Sequence, residues 1–308
     1  MTARAWISFA TALCLTASAS WAEAQGRGNA YGKRNQGASG GAAAGAAAGA
    51  SGSNAAPSEA SSSQPAGVGI RNFGAWLDDA SVMEPGRGAL TMSFAYWKTP
   101  AYREFDVPVF DAGLGLTRRV QFGVSVPYYH AREPGGPIAR GLGDLYFTTK
   151  VQLREPSSDR LGFAVTPLVE VLSSAPAPDR GRVSWALPAN VEWQSDGWRA
   201  FGSAGYFSRG SVFGSAALEI AVSDSVWVSG SVSESYSLER DDLSTVLGLA
   251  KSRLDVSGGA GVSLGPNIAV FGLVGRTMSK QDVNSATFFL TSGMSVSFDA
   301  RHASTPRR

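Results

Sequence analysis

Residues 144–153 read Asp-Leu-Tyr-Phe-Thr-Thr-Lys-Val-Gln-Leu, and their side chains alternate between two kinds. The odd-numbered positions carry Leu, Phe, Thr, Val and Leu, whereas the even-numbered positions carry Asp, Tyr, Thr, Lys and Gln. A period of two residues is the period of a β-strand, whose successive side chains point to opposite faces. The stretch therefore predicts a strand with one apolar face and one polar face.

The same alternation continues through most of the chain and predicts twelve strands. They run about ten to twelve residues, whereas strands of soluble proteins average about five or six. A tilted strand that crosses a membrane needs roughly nine to eleven residues. The predicted spans are 89–97, 105–116, 120–129, 142–153, 161–172, 183–194, 198–207, 211–222, 226–237, 253–264, 267–278 and 287–298.

Short turns and longer loops alternate between these strands. The short turns fall at 117–119, 195–197, 223–225 and 265–266, and the longer loops at 130–141, 173–182, 238–252 and 279–286. Short turns on one rim and long loops on the other are typical of outer-membrane barrels, with the short turns in the periplasm. The sequence thus predicts an all-β fold, a single-chain transmembrane antiparallel β-barrel of about twelve strands.

Aromatic residues gather at strand ends on the apolar parity. This placement is typical of the two aromatic girdles of a membrane barrel. Trp227 departs from it, because Val226 and Val228 take the apolar parity of that strand. The expected girdle residues are Trp193 and Trp198 beside a short turn, and Tyr96, Tyr128, Trp185, Tyr206 and Tyr236 at the opposite rim.

Two other folds would share part of this pattern. A secreted sandwich or soluble closed barrel would also alternate, but it needs shorter strands and more surface charge than the 17% of charged residues here. A membrane-spanning helix over 256–275 would carry no charge, but Gly265-Pro266 interrupts it. Both are less consistent with the pattern than a membrane barrel.

The chain divides into four segments. Residues 1–24 are predicted to be a signal peptide with Arg4 near its start and a cleavage site at Ala22-Glu23-Ala24, or alternatively after Ala17-Ser18-Ala19. Residues 25–70 form a low-complexity Gly/Ala/Ser-rich leader, which has too few large side chains to fold and is predicted to be disordered. The barrel is assigned to 71–298 and a basic tail to 299–308.

The single cysteine, Cys14, lies in the predicted signal peptide. Leu13 stands where a lipoprotein signal requires a small residue, so we do not expect a lipid anchor. Cleavage would leave a mature chain without cysteine and therefore without disulfides.

The polar parity of the strands gives the side chains expected to line the lumen. Opposite charges recur on neighbouring strands, where they either pair and stiffen the barrel or form a constriction that selects solutes by charge. Inner-parity Leu and Phe residues also favour a partly apolar lumen. The candidate lumen-lining residues are Asp144, Tyr146, Lys150, Gln152, Glu170, Arg182, Asn190, Glu192, Arg199, Glu219 and Asp255.

A Gly-x-Gly-Asp strand entrance, Gly141-Leu142-Gly143-Asp144, follows a strand that contains Gly123-Val124-Ser125-Val126-Pro127-Tyr128. Together these motifs resemble the outer-membrane family called "putative MetA-pathway of phenol degradation", over 120–172 by motif and roughly 85–298 by layout. The Pro-Thr-Gly that commonly follows in the family is replaced near 172–176 by Leu-Ser-Ser-Ala-Pro. The resemblance implies a single-chain barrel that moves small hydrophobic or aromatic compounds.

Two further features have structural interpretations. Gly141 and Gly143 would permit a bulged strand entrance at the loop rim, where Asp144 would either satisfy nearby backbone N–H groups or hold a loop or plug. Phe298 ends the last predicted strand on the lipid-facing parity, as a barrel-assembly signal does, although ten residues follow it.

The sequence lacks the motifs that are typical of several classes of enzyme. There is no Gly-x-Ser-x-Gly, no phosphate-binding loop and no His-Glu-x-x-His, so we predict no enzyme and no cofactor or metal. His130 and His302 are the only histidines. The net charge of +2 does not favour nucleic-acid binding.

The favoured function is a passive channel or uptake protein for small, hydrophobic or aromatic compounds. The alternative is a plugged structural or interaction barrel that is tethered through its periplasmic leader. Expected partners are outer-membrane lipid, the barrel-assembly machinery and a small hydrophobic solute. The expected location is the bacterial outer membrane, and the pattern sets no oligomeric state.

Overall fold

The computed structural model describes residues 70–72, 75–132, 138–171, 183–208, 210–238, 249–282 and 285–300. They form sixteen β-strands. The strands are β1 (Ile70–Asn72), β2 (Ala75–Leu77), β3 (Arg87–Lys98), β4 (Arg103–Thr117), β5 (Val120–Arg132), β6 (Ile138–Leu142), β7 (Leu145–Arg154), β8 (Gly162–Val165), β9 (Leu168–Val171), β10 (Val183–Ser195), β11 (Trp198–Phe207), β12 (Ser211–Ala221), β13 (Val226–Ser237), β14 (Ser252–Gly265), β15 (Ile268–Thr277) and β16 (Phe288–Asp299). Within those ranges, no helix is long and apolar enough to cross a membrane.

Strands β3–β16 close into one antiparallel barrel. Consecutive strand positions of the wall pair with each other, and β16 returns to pair with β3 along its whole length. β6 and β7 both pair with β5, and β8 and β9 both lie between β7 and β10, so each pair fills one strand position. The fourteen strands of the sheet therefore make a twelve-stranded wall, which confirms the predicted fold class.

Two of the predicted strands are interrupted in the structure. The predicted span 142–153 breaks at Gly143-Asp144, where the backbone N–H of Gly143 donates to the carbonyl of Pro127 at 2.8 Å. A Cβ at Gly143 would lie 2.8 Å from the Pro127 ring, so a larger residue would push these strands apart. The span 161–172 breaks at Thr166-Pro167, because proline has no N–H to give to the ladder.

One loop boundary was predicted wrongly. The sequence placed His130 at the start of an outer loop, but β5 continues through His130 to Arg132 and pairs there with β4 and β6. The His130 ring packs edge-on against Tyr128, with the centroids 5.2 Å apart. The alternation of β5 persists to its end, and this extends the strand beyond the predicted boundary.

The barrel is apolar outside and polar inside. Large apolar side chains on the outer parity are exposed, among them Leu90, Met92, Leu187 and Leu218. The expected girdle residues that point outward include Trp185, Trp193 and Tyr206, with the Trp185 and Tyr206 rings 5.8 Å apart. An apolar outer surface of this kind is suited to a lipid bilayer and not to water.

Trp227 points inward, as its departure from the apolar parity indicated. Its side chain is buried with Ala269 and Phe271. The ring lies over Gly261 on the neighbouring strand, where an added Cβ would come within 1.9 Å of it. Because Gly261 has no side chain, it leaves room for the inward-pointing ring of Trp227.

Candidate functional site

A chain segment that the sequence did not identify as a separate element occupies the lumen. We call residues 76–85 the plug, which precedes β3. At the rim of the short turns, the backbone N–H of Gly86 donates to the carbonyl of Gly115 at 2.7 Å. Just inside the barrel, the N–H of Met83 donates to Oε1 of Gln121 at 2.9 Å. The plug thus runs inward from the rim at which β3 begins.

Midway along the plug, two aspartates meet a lysine of the wall. Nζ of Lys150 on β7 lies 2.8 Å from Oδ1 of Asp78 and 2.7 Å from Oδ1 of Asp79. Lys150 also donates to the carbonyl of Ser81 at 3.0 Å. All three charged side chains are buried, so their mutual pairing replaces the water that each has lost.

Arg199 of β11 makes the second ionic attachment. Its Nη1 lies 3.0 Å from Oδ2 of Asp79 and 3.6 Å from Oε1 of Glu192. Its Nε and Nη2 donate to the two carboxylate oxygens of Glu219 at 3.1 and 3.2 Å. The guanidinium therefore joins the plug to two further strands, and it also lies over the ring of Phe201, 4.7 Å from its centroid.

We call this group the charged layer. Its members are Asp78, Asp79, Lys150, Glu192, Arg199 and Glu219. Four carboxyl groups face two cations, so the layer contains more acidic than basic groups. Removing either cation would leave buried carboxylates without a counter-charge, which is a costly arrangement.

Hydrogen bonds from side chains of the wall hold the plug backbone in the same layer. The N–H of Asp78 donates to Oγ of Ser203 at 2.8 Å, and that hydroxyl donates back to the carbonyl of Asp78 at 3.1 Å. The N–H of Ala80 donates to Oε2 of Glu192 at 3.1 Å, and Nε2 of Gln152 donates to the carbonyl of Ala80 at 3.0 Å. Beyond Leu77, where the pairing of β2 with β1 ends, the plug backbone is thus bonded by wall side chains.

Beyond the charged layer, toward the opposite rim, the lumen becomes aromatic. Trp76 of the plug packs there with side chains from five strand segments of the wall. Its ring centroid is 6.4 Å from that of Tyr146, and the rings of Phe207 and Phe213 are 5.1 Å apart. We call Trp76, Tyr146, Leu168, Ala186, Phe207 and Phe213 the aromatic layer.

The opposite wall carries a separate polar cluster on β14 and β15. Nε of Arg253 lies 2.9 Å from Oδ2 of Asp255, and Oγ1 of Thr277 donates to Oδ1 of Asp255 at 2.6 Å. The N–H of Ala286 donates to Oγ1 of Thr277 at 2.9 Å. Through Ala286, this cluster bonds the chain just before β16.

The structure places ten of the eleven candidate lumen residues inside the barrel. Asp144, Tyr146, Lys150, Gln152, Glu170, Asn190, Glu192, Arg199, Glu219 and Asp255 are all buried. Arg182 lies outside the described residues, as does Leu172 among the inner-parity apolar residues. The contribution of all eleven candidate residues to solute passage stays a prediction.

The structure brings only some of these residues to one place. Lys150, Gln152, Glu192, Arg199 and Glu219 contact the plug or each other in the charged layer. Tyr146 donates its hydroxyl to Oε1 of Glu170 at 3.0 Å, and the other oxygen of Glu170 accepts from Ser184. Asp255 stands on the far wall, and Asp144 is buried at the interruption between β6 and β7.

Asp78, Asp79 and Trp76 were missed because residues 71–88 show no clear alternation. The available signal was local: Trp-Leu-Asp-Asp at 76–79 places an aromatic and two acids directly after a leader that is almost free of both. In the described part of the chain, no group of three or more His, Cys, Asp or Glu side chains could hold a metal ion.

The fold is similar to that of solved outer-membrane barrels. The COG4313 outer membrane channel from Pseudomonas putida F1 matches with a TM-score of 0.55 and 13% identity, over 71% of this chain and 98% of that chain. The NanC porin matches with a TM-score of 0.48 and 9% identity, over 68% of this chain and 98% of that chain. The CymD monoaromatic hydrocarbon channel matches with a TM-score of 0.40 and 10% identity, over 70% of this chain and 89% of that chain. The first likeness shows an outer-membrane barrel fold, and the other two are too weak to add to it.

No protein-family model matches the sequence, and no curated protein sequence matches it.

Proposed function

We propose that this protein is a passive outer-membrane channel for small hydrophobic or aromatic compounds, in which the plug narrows the lumen. The aromatic layer is the observation that carries the proposal. A barrel needs an apolar exterior to stay in the bilayer, but a buried aromatic surface inside it offers a solute a place to leave water.

The charged layer determines how a solute would pass. It fills the lumen between β7 and the β10–β12 wall, so a solute passes beside the plug or after the plug has moved. The ion pairs that the plug aspartates form with Lys150 and Arg199 favour the docked plug. The charged layer holds four carboxyl groups and only two cations, and the repulsion among the carboxylates limits how tightly the plug binds. Conduction would therefore occur in openings of the plug rather than through a wide permanent pore.

Similarity to an outer-membrane channel supports the proposal at the level of fold, and so does the resemblance to the MetA-pathway family. We include in the proposal export through the signal peptide of residues 1–24, insertion by the barrel-assembly machinery with Phe298 as its signal, and a non-enzymatic role. The basic tail would remain on the periplasmic side, since β16 ends at the rim at which β3 begins. The leader would remain on the same side, because β1 runs antiparallel to β2 and directs the preceding chain back toward that rim.

Solute flux tests this function directly. The full mature chain is folded into lipid vesicles, and uptake of toluene, of phenol and of glucose is compared with that of protein-free vesicles. We expect the protein to accelerate the entry of phenol and toluene more than that of glucose, because the aromatic layer is largely apolar and the hydroxyl of Tyr146 is already bonded to Glu170. Equal rates with and without folded protein would contradict the proposal.

The alternative is a plugged barrel that serves as a structural anchor for its leader. The ionic attachments of Asp78 and Asp79 favour this role, because they hold the chain that follows the leader inside the barrel. Deletion of 25–70 distinguishes the two: a channel keeps its flux of aromatic solutes, whereas an anchor loses the attachment of the leader and has no flux to keep.

A further inference from the structure

Trp76 fills a pocket that belongs to the barrel wall. Its side chain is only 1% exposed, and the residues around it come from β7, β9, β10, β11 and β12. The occupant is on the plug, whereas the pocket is on five strand segments that are paired to one another without it. The wall can therefore keep this shape when the indole leaves.

The indole is held without any polar contact in the part of the chain that the structure describes. Its Nε1 is buried and has no hydrogen-bond partner there. The Tyr146 hydroxyl, which is the polar side-chain group among the wall residues of the aromatic layer, is already bonded to Glu170. Recognition therefore depends on size and on ring packing alone, and a free planar aromatic molecule meets the same requirements.

Leaving the pocket and undocking the plug are coupled through the chain. Trp76 is two residues from Asp78 and three from Asp79, whose carboxylates hold the plug to Lys150 and Arg199. A molecule in the Trp76 position excludes the indole and so withdraws part of the binding energy of the plug. Two ligands that share one site necessarily compete, and each weakens the other by the same factor.

We propose that the pocket of Tyr146, Leu168, Ala186, Phe207 and Phe213 is a binding site for one planar aromatic solute, and that Trp76 is its internal competitor. Entry of the solute displaces Trp76 and loosens the plug, so the solute promotes its own passage. The role in passage rests on the proposed function, but the binding and the displacement do not.

The test uses the full mature chain with indole as the probe. Hydrogen exchange, read by mass spectrometry, follows the amides of residues 77–81, while those of β10–β12 report whether the barrel is folded. Saturating indole is expected to raise plug exchange by about tenfold or more and to leave the barrel amides unchanged. Unchanged plug exchange at saturation would overturn the proposal.

Two substitutions sharpen this test. Trp76→Ala empties the pocket, so indole should bind about tenfold or more tighter than to the wild-type chain, since it no longer has a competitor. Adding Ala186→Phe to that variant fills the pocket and should abolish the gain. Trp76→Leu is the second form in case the alanine variant does not fold. Equal affinity for wild-type and Trp76-substituted chains would overturn the proposal.

The results also separate this proposal from the proposed function. Displacement of the plug by indole without solute flux in vesicles would leave the binding site in place and reject the channel. Solute flux without displacement would retain the channel and reject the site.

Discussion

Nζ of Lys150, on the barrel wall, lies 2.7 Å from Oδ1 of Asp79 on the plug, although 71 residues separate them in the chain. This ion pair is buried and makes the plug part of the folded barrel. The same lysine contacts Asp78 at 2.8 Å, so one wall cation holds two plug carboxylates.

Lys150→Met tests the attachment. The change leaves the buried carboxylate of Asp78 without its counter-charge and removes one of the two cations beside Asp79, at a cost of about 3–5 kcal/mol for a broken buried pair. We expect the amides of residues 78–81 to lose most of their protection from hydrogen exchange, while barrel amides keep theirs. Lys98→Met, at an exposed lysine at the end of β3, is the control and should change nothing. Full protection of the plug in Lys150→Met would show that the ion pairs do not hold it.

A double-mutant cycle measures the second attachment. Arg199→Met and Asp79→Asn are made singly and together, and the stability of plug docking is taken from the same exchange data. Because Nη1 of Arg199 and Oδ2 of Asp79 lie 3.0 Å apart, we expect a coupling of about 0.5–3 kcal/mol. Strictly additive effects would argue against a direct interaction.

The close packing of the Trp227 ring against Gly261 can be tested by substitution. Gly261→Ala places a Cβ within 1.9 Å of the Trp227 ring and should destabilise the barrel by about 1–3 kcal/mol. Gly258→Ala, on the same strand, meets only a carbonyl oxygen at 3.7 Å and serves as the matched control. Unfolding in urea from lipid vesicles compares them. Equal stability of the two variants would mean that Trp227 does not depend on Gly261.

The lipid-facing surface predicts a depth-dependent effect of charge. Ala189→Arg, on the outer face of β10 midway between the girdle residues Trp185 and Trp193, should cost about 2–4 kcal/mol. Val222→Arg, at a short turn, should cost about 0–1 kcal/mol. The measurement is again urea unfolding in vesicles. Similar small costs at both positions would indicate that the apolar outer surface does not face lipid.

Much of the barrel could be predicted because its signal is local. The alternation in Asp144–Leu153 fixes which side chains of β7 face inward, and the same period placed Lys150, Glu192 and Arg199 on the inner parity before any partner was known. Tight turns fixed the order of the strands. The interruption at Gly143-Asp144 was also accessible, since paired glycines there suggested an irregular entrance.

The plug could not be predicted from the same signal. Trp76 and Leu77 pair with the nearby strand β1, but the partners of the plug residues that follow lie on β5, β7, β10 and β11. A period-two pattern identifies which face a strand buries, but not what fills the interior of the barrel. The aromatic layer was hidden for a similar reason, because Phe207 and Phe213 also fit a plain filling role until Trp76 is placed beside them.

Single-channel conductance in planar bilayers tests the central claim most directly, with the full mature chain measured beside Lys150→Met and the Lys98→Met control. We predict low, intermittent conductance for the wild-type and Lys98→Met proteins. We predict a larger and more sustained conductance for Lys150→Met, because its plug no longer stays docked. Equal conductance of all three folded proteins, or no conductance from any of them, would contradict this prediction.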